Sequence, residues 1–186
     1  MQTTQKELND VDLGQLTDTI DAIGDDPGIA KFRFRASNEW LGGARSRTEI
    51  QSFRHAGEED ASRSEPFYME GDEPNVLLGS DQAPNAVEAV LHALGSCLAV
   101  GFSYHAAAQG IEVERLEMEI EGVLDLHGFL GLSEDVRPGY DDITVRYEVD
   151  CDAPSERVDE LCEHVQKTSP VLDMLRNPVS VKVERA

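Results

Sequence analysis

The sequence predicts an α+β fold, and three observations predict it. Apolar and polar residues alternate in separate segments, at 30–37, 113–120 and 143–149. That alternation is the mark of strands with one buried face. The stretch "VEAVLHALGSCLAVGFSYHAAAQGI", from Val87 to Ile111, is mostly small or apolar and repeats its larger side chains at three- and four-residue steps, which is a helical period. A second helical pattern, "APSERVDELCEHVQKTSP", follows the third alternating segment.

Composition bounds the rest. The chain has 186 residues, 40% of them hydrophobic, enough for one domain with a real core and too apolar for a disordered chain. Aromatics are 6%, so that core is mainly aliphatic. The formal net charge is -21, with 12 Arg and 4 Lys against 37 acids. Phosphates would be repelled, so nucleic acid and anionic membrane surfaces are not expected partners. The charge reads either as an ordinary acidic surface or as adaptation to high salt, where screening removes the self-repulsion. "QTTQKELNDVDLGQ" after Met1 has no apolar stretch, and the run from Leu94 to Gly101 is too short and interrupted to cross a bilayer. The expected location is cytoplasmic, with no membrane partner.

In chain order, residues 1–28 read as a polar N-terminal extension with a short helix from Val11 to Ile23, broken by "GDDPG". "AKFRFRASNEW" and "RTEIQSFRH" read as two strands of a hairpin over 30–55, turning at "LGGARS", where Gly42 and Gly43 are free to take positive φ. Residues 56–83 read as loop. Pro84 and Asn85 open the long helix, with Val87, Val90, Leu91, Leu94, Leu98 and Phe102 on its apolar positions and Gly110 at its stop. "IEVERLEMEIEGVLDLHG" is a strand with a slip near Arg115. A long turn and the strand "ITVRYEVDCD" come next. Ser155 is a plausible N-cap for the second helix, Pro170 restarts it as a helical turn, and "VSVKVER" closes as a strand.

Two segments, "APNAVEAVLHALGSCLAV" and "KTSPVLDMLRNPVSVKV", together with the hairpin "EWLGGARSRTEI", resemble the OsmC-like family, which is related to organic hydroperoxide resistance proteins. The likeness covers roughly residues 30–185, and the family domain is placed at 29–186. It implies an intertwined homodimer in which two long central helices are wrapped by antiparallel strands from both subunits. It also implies a helix cysteine that attacks peroxide, an Arg and a Glu that hold it, and a second cysteine just before a Pro that resolves it. On those positions stand Cys97, Glu88, and either Arg45 or Arg47. The residue before Pro170 is Ser169, whose hydroxyl cannot close a disulfide.

The resemblance must meet the chemistry of the residues. A thiol attacks as thiolate, and an ordinary Cys is only a few per cent ionised at neutral pH. A guanidinium would stabilise the anion; a carboxylate would help only by fixing that guanidinium. Glu88 and Cys97 are nine residues apart, about 180° around a regular helix, which disfavours direct contact. Apart from the resemblance, Cys97 also fits as a small buried hydrophobe, and Glu88 as a first-turn acid favoured by the helix dipole. Cys162 reads as a core residue beside Leu161 and Val165, and Cys151 ends a strand. Cys162 with His164 forms a lone C-x-H, too little for a metal site, so no metal and no cofactor are expected. His92 and His105 lack the spacing that would set them beside Cys97. Two functions compete. One is a thiol-dependent reductase of organic hydroperoxides that uses an external thiol as reductant. The other is a non-catalytic dimer binding a small apolar ligand.

Overall fold

The structure is a computed structural model that describes residues 7–185. It divides into two compact units: residues 7–13 with 91–185, and residues 14–90.

The first unit is built on α2 (Ala86–Ala108), which starts in the second unit and runs on into this one. Beside it stand the strands β9 (Val113–Val123) and β10 (Asp142–Cys151), paired antiparallel, and the helices α4 (Ser155–Thr168) and α5 (Pro170–Arg176). The four-residue α3 (Leu126–Phe129) lies in the long turn between the two strands. The slip near Arg115 is a bulge: Arg115 pairs with Asp150 and Val113 with Cys151, leaving Glu114 as the extra residue. It lets Val113 and Leu116 both turn toward the core. That core joins Leu94, Leu98, Phe102 and Ala106 of α2 to Ile111, Leu161 and Val165. Two glycines permit the close approach. A Cβ at Gly95 would sit 2.7 Å from Cδ1 of Ile120, and one at Gly101 would sit 3.3 Å from Cγ1 of Val165.

By length and composition α2 is apolar enough to cross a membrane, whereas the sequence reading takes only the shorter, interrupted run from Leu94 to Gly101. Its large buried side chains face α4 and the β9–β10 sheet, as those of a core helix do. Residues 7–12 form the strands β1 (Glu7–Leu8) and β2 (Val11–Asp12). The Asn9 side chain ties this hairpin down: its amide donates to the Ile111 carbonyl, and its oxygen accepts from the Val113 N–H, both at 2.9 Å.

The second unit begins with α1 (Leu13–Asp25) and a 3-10 turn at Pro27–Ala30. The hairpin predicted over 30–55 exists, but each of its strands is split. β4 (Ser37–Gly42) and β5 (Arg45–Ile50) pair around the turn, with Gly42 and Gly43 at positive φ, and β8 (Phe67–Gly71) joins β5. β3 (Phe32–Arg33) pairs instead with β6 (Phe53–His55), which also pairs with β7 (Glu58–Asp60). So residues 56–83 hold two strands where the sequence predicts only loop. β7 is "EED", all acid, and signals through backbone pairing alone.

Two other expectations are corrected. Pro154, not Ser155, is the cap of α4, and it offers no side-chain bond. Residues 178–185 form no strand, although Val179, Val181 and Val183 alternate as one; all three are exposed. Alternation makes a strand only where an edge is free to bond it, and among the described residues none does so.

Candidate functional site

Cys97 lies halfway along α2, partly buried. Its Sγ is 3.1 Å from Oγ of Ser169. The two residues are 72 positions apart in the chain, and the fold brings them together through α4. Gly101 lets Val165 of α4 come close to α2, and one turn later α4 ends at Ser169, whose N–H donates to the Val165 carbonyl at 3.0 Å. Ser169 is buried and caps α5: its Oγ accepts from the Leu172 N–H at 3.3 Å, and Pro170 occupies the first helical position. Ser-Pro at a helix start is a cap signal, and it foretells where this hydroxyl is anchored. The contact with Cys97 has no such signal in the sequence.

Glu88 sits in the first turn of α2. Its carboxylate accepts from the Asn85 N–H, and the Asn85 side chain accepts from the Glu88 N–H, each at 2.8 Å. This reciprocal pair closes the helix start. Because α2 is continuous from Ala86 to Ala108, the helical repeat sends Glu88 and Cys97 out of opposite sides, about 180° apart. Arg45 and Arg47 lie on β5 in the other unit. Nε of Arg47 donates to Glu70 at 2.6 Å, and its guanidinium lies over the Tyr68 ring at 5.7 Å. The Glu70 bond and charge raise Arg47 above the ordinary arginine pKa. Arg45 makes no ion pair among the described residues.

The three cysteines are all free. Cys162 packs against the core cluster, and burial, then the Asp159 charge, push its thiol up. The Cys151 sulfur sits 3.9 Å from the Ala153 carbonyl. His105 meets His164 edge-to-face, ring centroids 4.3 Å apart, and its Nε2 is 3.3 Å from Oγ1 of Thr168. Burial, then the His164 charge, lower the His105 pKa. Sequence spacing cannot reveal this pair, since it needs α2 and α4 side by side.

A groove of about 590 Å³ runs between α2 and β9, lined by Leu91, His92, Gly95, Ser96, Ala99, Leu116, Met118 and Ile120. The helical repeat puts its α2 residues on the side opposite Cys97. The apolar surface that shares the sulfur's face is a stripe at four- and three-residue steps: Ala93, Cys97, Val100 and Tyr104. Val100 and Tyr104 are each 50% exposed.

A family model for OsmC-like proteins matches residues 79–184, a span that holds α2, both long strands, Cys97 and Ser169. The chain belongs to the OsmC-like family. Solved structures of similar fold agree. An OsmC-like protein from Mycoplasma pneumoniae has a TM-score of 0.59 at 15% identity, over 78% of this chain and 89% of that one. An organic hydroperoxide resistance protein OsmC from Legionella pneumophila has a TM-score of 0.55 at 17% identity, over 80% and 93%. An organic hydroperoxide resistance protein from Elizabethkingia anophelis, with thiocyanate bound, has a TM-score of 0.52 at 14% identity, over 78% and 89%. At these identities the likeness is one of fold. No curated protein matches the chain significantly.

Proposed function

We propose that this OsmC-like protein reduces organic hydroperoxides as a homodimer, with Cys97 as the attacking sulfur and a small external thiol as the reductant. The observation that carries the reading is the 3.1 Å meeting of Cys97 with Ser169. The two segments that most resemble the family converge on one sulfur. The thiolate attacks the terminal oxygen of ROOH, the O–O bond breaks, and the alkoxide leaves as ROH after taking a proton. Cys97 is left as a sulfenic acid. An external thiol R′SH displaces the hydroxyl as water and forms a mixed disulfide. A second R′SH releases R′SSR′ and restores the thiol. A guanidinium stabilises the anion in this reading. Arg45 and Arg47 both stand as candidate donors, as the family resemblance implies, and Arg47 carries a carboxylate partner in Glu70.

The homodimer reading rests on the exposed stripe of α2 and on the unpaired Val179, Val181 and Val183. A second copy would cover the stripe and shelter the sulfur from bulk water. Val100→Asp should therefore yield monomer in light scattering where the parent is dimer. A Val100→Asp protein of unchanged mass would put the contact elsewhere.

Hydroperoxide consumption tests the chemistry. The parent should consume an organic hydroperoxide with a dithiol or monothiol donor, and Cys97→Ser should lose nearly all of that activity. A second reading, a dimer that holds a small apolar ligand without turnover, is favoured by the missing second sulfur at Ser169 and by the groove facing away from Cys97. It prevails if the folded parent consumes no hydroperoxide with any donor while Cys97→Ser leaves apolar-ligand binding intact.

A further inference from the structure

We propose that the Ser169 hydroxyl donates a hydrogen bond to the Cys97 sulfur when that sulfur reacts as a thiolate, which makes Ser169 a catalytic residue of the thiol site. The inference rests on the reading of Cys97 as the reacting sulfur.

The Ser169 oxygen has two lone pairs and one proton. The Leu172 N–H takes one lone pair. The backbone around the hydroxyl is fixed on both sides: the Ser169 N–H bonds the Val165 carbonyl, and the Ser169 carbonyl accepts from the Asp173 N–H, each at 3.0 Å. Its own proton is therefore free to point toward Sγ of Cys97, 3.1 Å away. A thiolate has no proton and only accepts, so with the sulfur ionised the O–H must donate. With the sulfur protonated, the S–H can donate to the remaining lone pair. The contact persists in both states, but only in the ionised one is it charge-assisted and hence stronger. Ser169 is 5% exposed, so water competes little for that proton.

The same side chain decides the fate of the oxidised sulfur. An oxygen at this place cannot displace the sulfenic hydroxyl to form an S–S bond. A sulfur at this place can: the thiol at 169 would attack the Cys97 sulfenic acid, lose its proton, and release water.

The test is alkylation of the folded protein by iodoacetamide at neutral pH, read by mass spectrometry on the peptide that carries Cys97. Losing a hydrogen bond to a charged group predicts about tenfold slower alkylation in Ser169→Ala. Ser169→Gly, which a helix cap tolerates, repeats the test if the Ala variant does not fold. An unchanged or faster rate in a folded variant would overturn the proposal, since loss of packing alone would only expose the sulfur. In Ser169→Cys, one equivalent of organic hydroperoxide should yield a disulfide between positions 97 and 169, with loss of two hydrogens. Oxidation at Cys97 without that disulfide would refute the placement of the side chain. The alkylation arm needs no hydroperoxide. If the parent consumes none yet alkylation depends on Ser169, the peroxide reading fails and only the hydrogen bond to the thiolate stands; if the parent consumes hydroperoxide and alkylation ignores Ser169, the peroxide reading stands and this proposal fails.

Discussion

The unit containing residues 91–185 gathers seven buried apolar side chains into one cluster, whereas in residues 14–90 the buried side chains are the polar Asp72 and Asn85. The second unit leaves its aromatics outside: Phe34 is 68% exposed and Trp40 72%. Phe32, Phe34 and Phe53 lie against one another on that surface, with centroids 5.6 to 6.1 Å apart, and Arg63 lies over Phe53 at 5.1 Å. Surface ion pairs such as Arg35–Glu59 and Arg47–Glu70 add to strand pairing. One unit is held by packing, the other by backbone ladders, charge and stacking. The chain itself leaves the apolar side chains of residues 14–90, Phe34 and Trp40 among them, largely uncovered.

The sharpest way to break this contrast is to delete one aromatic ring from each unit. Phe102 is fully buried, and Phe102→Ala should cost about 3–5 kcal/mol in denaturant unfolding. Phe34→Ala should cost the isolated chain little, within about 0.5 kcal/mol. If Phe34→Ala costs as much as Phe102→Ala under conditions where the protein is dimeric, and little where it is monomeric, the missing cover is a partner copy.

The same division governs what the sequence discloses. The long helix, the bulged strand at Arg115 and the helix after Pro154 are legible because their apolar periods record a core they help to build. β7 and β8 are not legible, because a strand of Glu and Asp, or one exposed along most of its length, leaves no such record. The alternation of Val179, Val181 and Val183 is read as a strand, but alternation does not say which edge receives it. In the candidate site, Cys97 is singled out by the family resemblance, since its helix alone reads it as a small core residue, and Ser169 by its mismatch to the family's second cysteine; their contact spans 72 residues and depends on α4. The partners of Arg47 and His105 likewise lie on other elements.

A smaller effect separates the units by acid. In residues 14–90, the buried Asp72 accepts from the Glu73, Ser80 and Gln82 N–H groups and from the Ser80 hydroxyl. These bonds, led by Ser80, hold its pKa down to about 2 from 3.8. A lowered carboxyl binds its proton more readily unfolded than folded, so its stabilisation is complete above about pH 4 and is lost as pH falls toward about 2. Proteolysis within residues 72–82 should therefore accelerate across that window. Asp72→Asn should already show the acceleration at neutral pH, since an amide oxygen accepts more weakly than a carboxylate. A variant protected like the parent throughout the window would show that this loop does not depend on the carboxylate.

The smallest expected effect lies in the packed unit and at milder pH. His105 is held below the ordinary histidine pKa of 6.5 by burial and by the facing His164. Its ring meets Thr168 and His164 of α4, and neither offers it a negative charge. The unfolded chain therefore binds this proton more readily than the folded one. Its contribution is fully present above about pH 6.5 and declines as pH falls through the lowered folded value. Between pH 7 and 5.5 the parent should lose thermal stability faster than His105→Gln, which has no proton to gain. If the two curves run parallel, the imidazole pair is indifferent to its charge and the packed unit owes its pH response to other groups.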